Sequence, residues 1–136
     1  MKEETTEQRT KRILTQMKIK YPEKNAFDLD GRGMHFVCEV DPTENHPEYD
    51  RAVEVILSSN PHMHLKMTQH YSILSGSLTL YVGEKVVVLH SGDTYSIPPG
   101  NAHWATSDDE CWVEIYSEPG WTKEDHIPIA KTSESL

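Results

Sequence analysis

Pro61-His62-Met63-His64-Leu65-Lys66-Met67-Thr68-Gln69 and, further along, Gly92-Asp93-Thr94-Tyr95-Ser96-Ile97-Pro98-Pro99-Gly100-Asn101-Ala102-His103 are the stretches on which the fold turns. Alternate side chains of an extended segment share a face, so His62 and His64 point the same way. Gln69 follows across a short bend. His103 comes just after a Pro-Pro-Gly turn, whose restricted dihedrals stiffen the backbone that aims it. Three neutral imidazoles suit Zn, Cu, Fe, Ni or Mn to differing degrees and leave positions open for water or substrate. The His-x-His pair alone is weak, because exposed histidine pairs are common. The third histidine, framed by glycine and proline, makes the pattern a candidate metal site.

Outward from these stretches, short apolar runs alternate with turn residues at the spacing of an all-β barrel or sandwich. Strands are expected at Met34–Val40, Val53–Leu57, Gln69–Leu74, Leu78–Val82, Val86–Leu89, Thr94–Ile97, Trp104–Thr106 and Cys111–Tyr116. Gly83-Glu84 reads as a two-residue hairpin turn. Asp108-Asp109 reads as a break between the last two strands. Residues 3–18 form one amphipathic helix, with Ile13, Leu14 and Met17 on one side, ended by Tyr21-Pro22. The expected organisation is a helical lead-in over residues 1–25, a barrel over 26–118 and a tail over 119–136. In that tail Trp121–Ile129 is amphipathic and the Lys-Thr-Ser-Glu-Ser end is frayed.

The chain has 136 residues, about one ordinary domain, and its 13 Lys and Arg against 22 Asp and Glu give a net charge of −9. Residues 1–20 carry six cations and three anions, so the body carries −12. An acidic body argues against phosphate-backbone binding, and Arg9, Lys11 and Arg12 read as a solvated helix face. No apolar run approaches a membrane span, and Met-Lys-Glu-Glu opens no secretory signal. We therefore expect a cytoplasmic protein without nucleic-acid or membrane partners. Cys38 and Cys111 are expected as buried free thiols rather than a disulfide.

From the histidine pair the order is His62, one residue, His64, four residues, Gln69, six residues, Gly76. From Gly92 it is five residues, Pro98, Pro99, Gly100, two residues, His103. Over Val53–Ser117 the chain thus resembles the cupin superfamily, whose motifs run Gly-x5-His-x-His-x3–4-Glu-x6-Gly and Gly-x5-Pro-x-Gly-x2-His-x3-Asn. The resemblance implies an all-β cupin barrel (a double-stranded β-helix or jelly roll) with a short N-terminal helix, of the small cupin 2 type. It also implies one divalent transition metal ion (Zn, Ni, Mn, Fe or Cu) on His62, His64, Gln69 and His103. Ser107 replaces the closing Asn of the second motif. The larger departure is Gln69 in the glutamate slot. Its amide oxygen can ligate but brings no charge, so the ion keeps its full charge, acts as a stronger Lewis acid and favours a carboxylate or enolate. The alternative is a three-histidine site from which Gln69 stands off.

Tyr71 shares the parity of Gln69 and should line the cavity, either as a donor to substrate or as packed core. Glu114 alternates with Trp112 on the last strand. Facing the metal it would be a general base; facing out it would be a surface carboxylate. His70 has the opposite parity, and His35, His46, His90 and His126 lie outside the motifs. The resemblance implies a metal-dependent enzyme of isomerase or lyase type on a small polar metabolite such as a sugar, uronate or keto acid. It is similar to small cupins that isomerise or ketonise unsaturated uronates with the help of a nearby base. A metal-dependent dioxygenase and a non-catalytic small-molecule-binding cupin are the alternatives. A homodimer is expected, with residues 3–40 crossing between subunits and covering an edge strand.

Overall fold

The structure, a computed structural model, describes residues 3–130. Helix α1 (Thr6–Lys20) begins with a capping box. The Thr5 hydroxyl accepts from the Gln8 N–H at 3.1 Å, and the Gln8 side chain accepts from the Thr5 N–H at 2.9 Å. The helix stops at Tyr21, directly before Pro22, as the sequence predicts. Ile13 and Met17, one turn apart, are fully buried against Phe36, Cys38 and Val55. Arg12 does not form a solvated face. It grips Glu4 and, through Nη1 at 3.0 Å, Glu110, while Arg9 donates to the Gly33 carbonyl at 2.8 Å. Arg9 and Arg12 thus fasten the helix to its own barrel, while Lys11 is exposed as expected.

Among the described residues, ten strands build one curled sheet: β1 (Asn25–Asp28), β2 (His35–Asp41), β3 (Asp50–Ser58), β4 (His62–Met63), β5 (Thr68–Ser75), β6 (Ser77–Val82), β7 (Lys85–His90), β8 (Thr94–Ile97), β9 (His103–Glu118) and β10 (Ile127–Pro128). Strand β9 organises it. Its first residues pair with β4 and β6, and its later residues lie between β3 and β5. Strands β2 and β1 extend the sheet beyond β3, β8 beyond β5, β7 beyond β6, and β10 beyond β4. The expected break at Asp108-Asp109 is instead the point where one continuous strand changes partners. The Ser107 hydroxyl donates to the Ile56 carbonyl at 2.8 Å there, beside a register shift in β3. Three short strands, β1, β4 and β10, escape prediction because each takes its form from its partner rather than from a hydrophobic pattern.

The sheet has an apolar layer on each face. The interior holds Ile56, Tyr71, Ile73, Leu78, Leu80, Ile97, Cys111, Val113 and Ile115 among its buried residues. The outer layer lies under α1. Cys38 belongs to the outer layer and Cys111 to the interior, so the two thiols stand on opposite faces and are free. Among the described residues no helix is long and apolar enough to cross a membrane.

Gly76 joins β5 to β6 with φ +84, and a Cβ there would lie 2.6 Å from the Glu110 carbonyl oxygen of β9. Left-handed backbone strain and a backbone clash act together, so Gly76→Ala is expected to lower stability by about 2 kcal/mol. A urea titration of the two proteins checks this; coincident curves would remove the constraint assigned to Gly76.

Candidate metal centre

Strand β4 is two residues long but held on both sides, with His62 opposite His103 of β9 and Pro128 of β10. Just beyond β4, the His64 carbonyl accepts from the Gly100 N–H at 2.7 Å, which ties the histidine pair to the Pro-Pro-Gly turn. Asn101 closes that turn by donating to the Pro98 carbonyl at 3.1 Å, and His103 opens β9 immediately after it. Gln69 is near the start of β5, between Ile97 of β8 and Ser117 of β9, with its side chain buried. The two separate stretches therefore bring His62, His64, Gln69 and His103 to one place.

The hydrogen bonds of the three histidines decide what they offer. His62 Nδ1 lies 2.9 Å from the Asn60 carbonyl, His64 Nδ1 2.7 Å from that of Asp125, and His103 Nδ1 3.0 Å from that of Asn101. A carbonyl only accepts, so each Nδ1 carries the proton and each Nε2 keeps a lone pair, the ligating form. Burial, together with the His103 ring, pushes His62 down to about 2; burial pushes His103 down to about 4 and lowers His64. All three are neutral at pH 7. One ligand atom from each lies within 4.8 Å of the others.

Two observations test whether these residues fit a metal ion. The buried Nε2 of His64 has no hydrogen-bond partner. His103 Nε2 lies 2.9 Å from Gln69 Oε1 while its Nδ1 also meets a carbonyl, so a neutral ring with one proton faces two acceptors. A divalent cation takes up the three lone pairs and the amide oxygen together. Without it, Gln69 must turn its NH2 toward His103, and His64 is left unsatisfied at a cost of order 1–3 kcal/mol. The donor set fits.

A family describing the cupin domain matches residues 53–116. This chain carries a cupin domain. Pac13, a nucleoside dehydratase of Streptomyces, superimposes with a TM-score of 0.69 over 85% of this cupin and 92% of its own chain, at 16% identity. KdgF from Halomonas sp. gives 0.62 over 71% of this cupin and 89% of its own chain, at 17% identity. Oxalate decarboxylase of Bacillus subtilis gives 0.68 at 12% identity, over 80% of this cupin but 31% of its own chain. At such identities the likeness is one of fold. No curated protein sequence matches this cupin.

The two expected catalytic residues part company. Tyr71 lies in the interior layer, two residues along β5 from Gln69, and burial with the Glu54 charge raises its phenol well above the ordinary value. Glu114 is not brought to the site. It faces the outer layer with Trp112, because Val113 and Ile115 take the interior positions of β9, and its carboxylate lies 3.5 Å from Arg51 Nη1. His70 also points away, to Ser96 at 2.7 Å and Glu118 at 3.2 Å. Sequence reading passes over four other residues. His35 and Glu54 share the face of Ile56, and His35 Nε2 lies 2.5 Å from Glu54 Oε1 inside the barrel. Asp125 orients His64 through its carbonyl, while its buried carboxylate accepts from the N–H groups of Leu65, Lys66 and Met67 at 2.8–3.2 Å. His126 stacks on His62, with centroids 4.8 Å apart and planes at 19°. Burial, then the neighbouring His64, lower its pKa.

Proposed function

We propose that this cupin is a metal-dependent enzyme of isomerase or lyase type that moves a proton on a small polar metabolite such as a sugar, uronate or keto acid. The observation that carries the reading is the part-buried His35–Glu54 pair, with groups 2.5 Å apart, on the barrel face shared with Ile56 and close enough to Tyr71 for the Glu54 charge to act on it. A divalent ion on His62, His64, His103 and Gln69 would supply Lewis acidity that no charged ligand moderates. Glu54, held by the His35 N–H, is the acceptor for a substrate proton. Tyr71 keeps its own proton across the physiological range and serves as a donor to a substrate oxygen. Glu114, remote from this interior, has no part. Pac13 structures with uridine show that a barrel of this shape admits a small polar ligand in that protein. A homodimer and a cytoplasmic location belong to the same reading, the latter supported by the free thiols and the former checked by sedimentation velocity.

The test begins with elemental analysis of protein purified without added metal, followed by deuterium exchange from solvent into candidate uronates and keto acids, read by NMR. Zinc, nickel or manganese with exchange is the expected result. Glu54→Gln should lower the exchange rate about 100-fold with metal content unchanged. Iron or copper with oxygen uptake would replace this reading by a dioxygenase. Substrate binding without exchange would replace it by a non-catalytic cupin.

A further inference from the structure

The segment that follows the barrel is pinned at three points around the candidate metal centre. The Trp121 N–H donates to the buried carboxylate of Asp50, Asp125 holds the turn after His64, and Ile127 and Pro128 pair with Met63 and His62. His126 lies between the last two anchors, so its ring is fixed relative to the histidine pair. Its centroid is 4.8 Å from that of His62 and 5.6 Å from that of His64.

His126 differs from its three neighbours in the partner of Nδ1. That nitrogen faces Trp121 Nε1 at 3.3 Å. An indole N–H donates and cannot accept, so His126 Nδ1 must accept, and the ring proton lies on Nε2. A proton on both nitrogens would set N–H against N–H at Trp121. The four imidazoles therefore sort into three that present lone pairs and one that presents an N–H. Nothing in the assignment of the metal ligands requires the fourth.

We propose that His126 is a ligand-contacting donor, and that its Nε2–H holds one oxygen of a small carboxylate whose other oxygen occupies an open position of the metal centre. The proposal rests on the metal reading above and narrows its substrate class to carboxylates. A centre of neutral donors keeps the full charge of the ion, which favours an anion, and the adjacent N–H favours one with a second acceptor atom.

Cobalt(II) as the bound ion and acetate as the probe test it, with acetate affinity read from the visible bands of the cobalt protein. His126→Ala should retain one cobalt per chain and weaken acetate about tenfold, the loss of one hydrogen bond to a charged group. His126→Gln, which keeps an N–H donor, should recover most of that loss, and Trp121→Phe, which frees the tautomer, should weaken acetate by about threefold. Cobalt bound normally by His126→Ala with acetate affinity unchanged would overturn the proposal and leave the metal reading intact. Loss of cobalt from His126→Ala would also overturn it, by making His126 a ligand. Failure of the unaltered protein to bind cobalt would overturn both.

Discussion

His103→Ala should abolish stoichiometric metal binding, raising the dissociation constant for zinc by about 1000-fold or more. Removing a partner outside the ligand set costs roughly 10–100-fold in comparable centres, and a ligand contributes more than such a partner. His103 is also the point where the two stretches meet: it opposes His62 in the sheet and touches Gln69 at 2.9 Å. An alanine there removes one ligand and leaves the Gln69 amide without its nearest neighbour. Gln69→Ala should cost far less, about tenfold, because a neutral amide oxygen is the weakest donor of the four. Competition titration with a chromophoric chelator measures both variants against the parent. Zinc affinity in His103→Ala equal to that of the parent would take His103 out of the site, and with it the convergence on which the metal reading stands.

The legible part of this cupin is the part written in local spacing. His62 and His64 are two residues apart on a strand, Gln69 begins the next one, and a proline-glycine turn places His103; each relation spans a few residues. The same holds for α1, whose capping residues and Tyr21-Pro22 stop lie at its ends. What escapes is set by pairing between distant segments. His35 lies in Met34–Val40, where His35, Phe36, Val37 and Cys38 are all buried, so alternation cannot say which face is interior. Asp125 and His126 reach His64 and His62 only because β10 pairs with β4, a contact about 60 residues apart in sequence with no pattern of its own. Glu114 reads ambiguously for a related reason: along Cys111–Tyr116 buried side chains alternate with half-buried ones, including Trp112, so neither face is plainly solvent, and the register with β3 and β5 assigns its sides. Sequence spacing therefore singled out the candidate ligands, whereas the His35–Glu54 pair and the fourth imidazole required the topology.

In the presence of EDTA, the protein should lose stability steeply as pH falls from about 6.5 toward 4, a window whose upper part lies above the range where most carboxylates titrate. An imidazole in the unfolded chain titrates near 6.5, whereas in the folded chain His103 is pushed down to about 4 and His62 to about 2, chiefly by burial. Between those limits the unfolded state binds protons that the folded state does not, so stability rises with pH. It is fully present above the unfolded value and is lost as pH falls, at about 1.4 kcal/mol per pH unit for each such group. For His103 alone the loss by pH 4 amounts to about 3 kcal/mol, a large share of a typical domain's stability. Asp50, whose carboxyl burial raises, works in the opposite sense and offsets part of the loss at the acid end. Bound zinc acts in the same direction as the histidines, since it needs them neutral, and chelation separates the two effects. Urea midpoints in EDTA at pH 7, 6 and 5 measure the slope, and His103→Ala should flatten it by about one proton. Equal midpoints at pH 7 and 5 would mean that the imidazoles meet solvent freely, which a closed cluster of lone-pair donors does not permit.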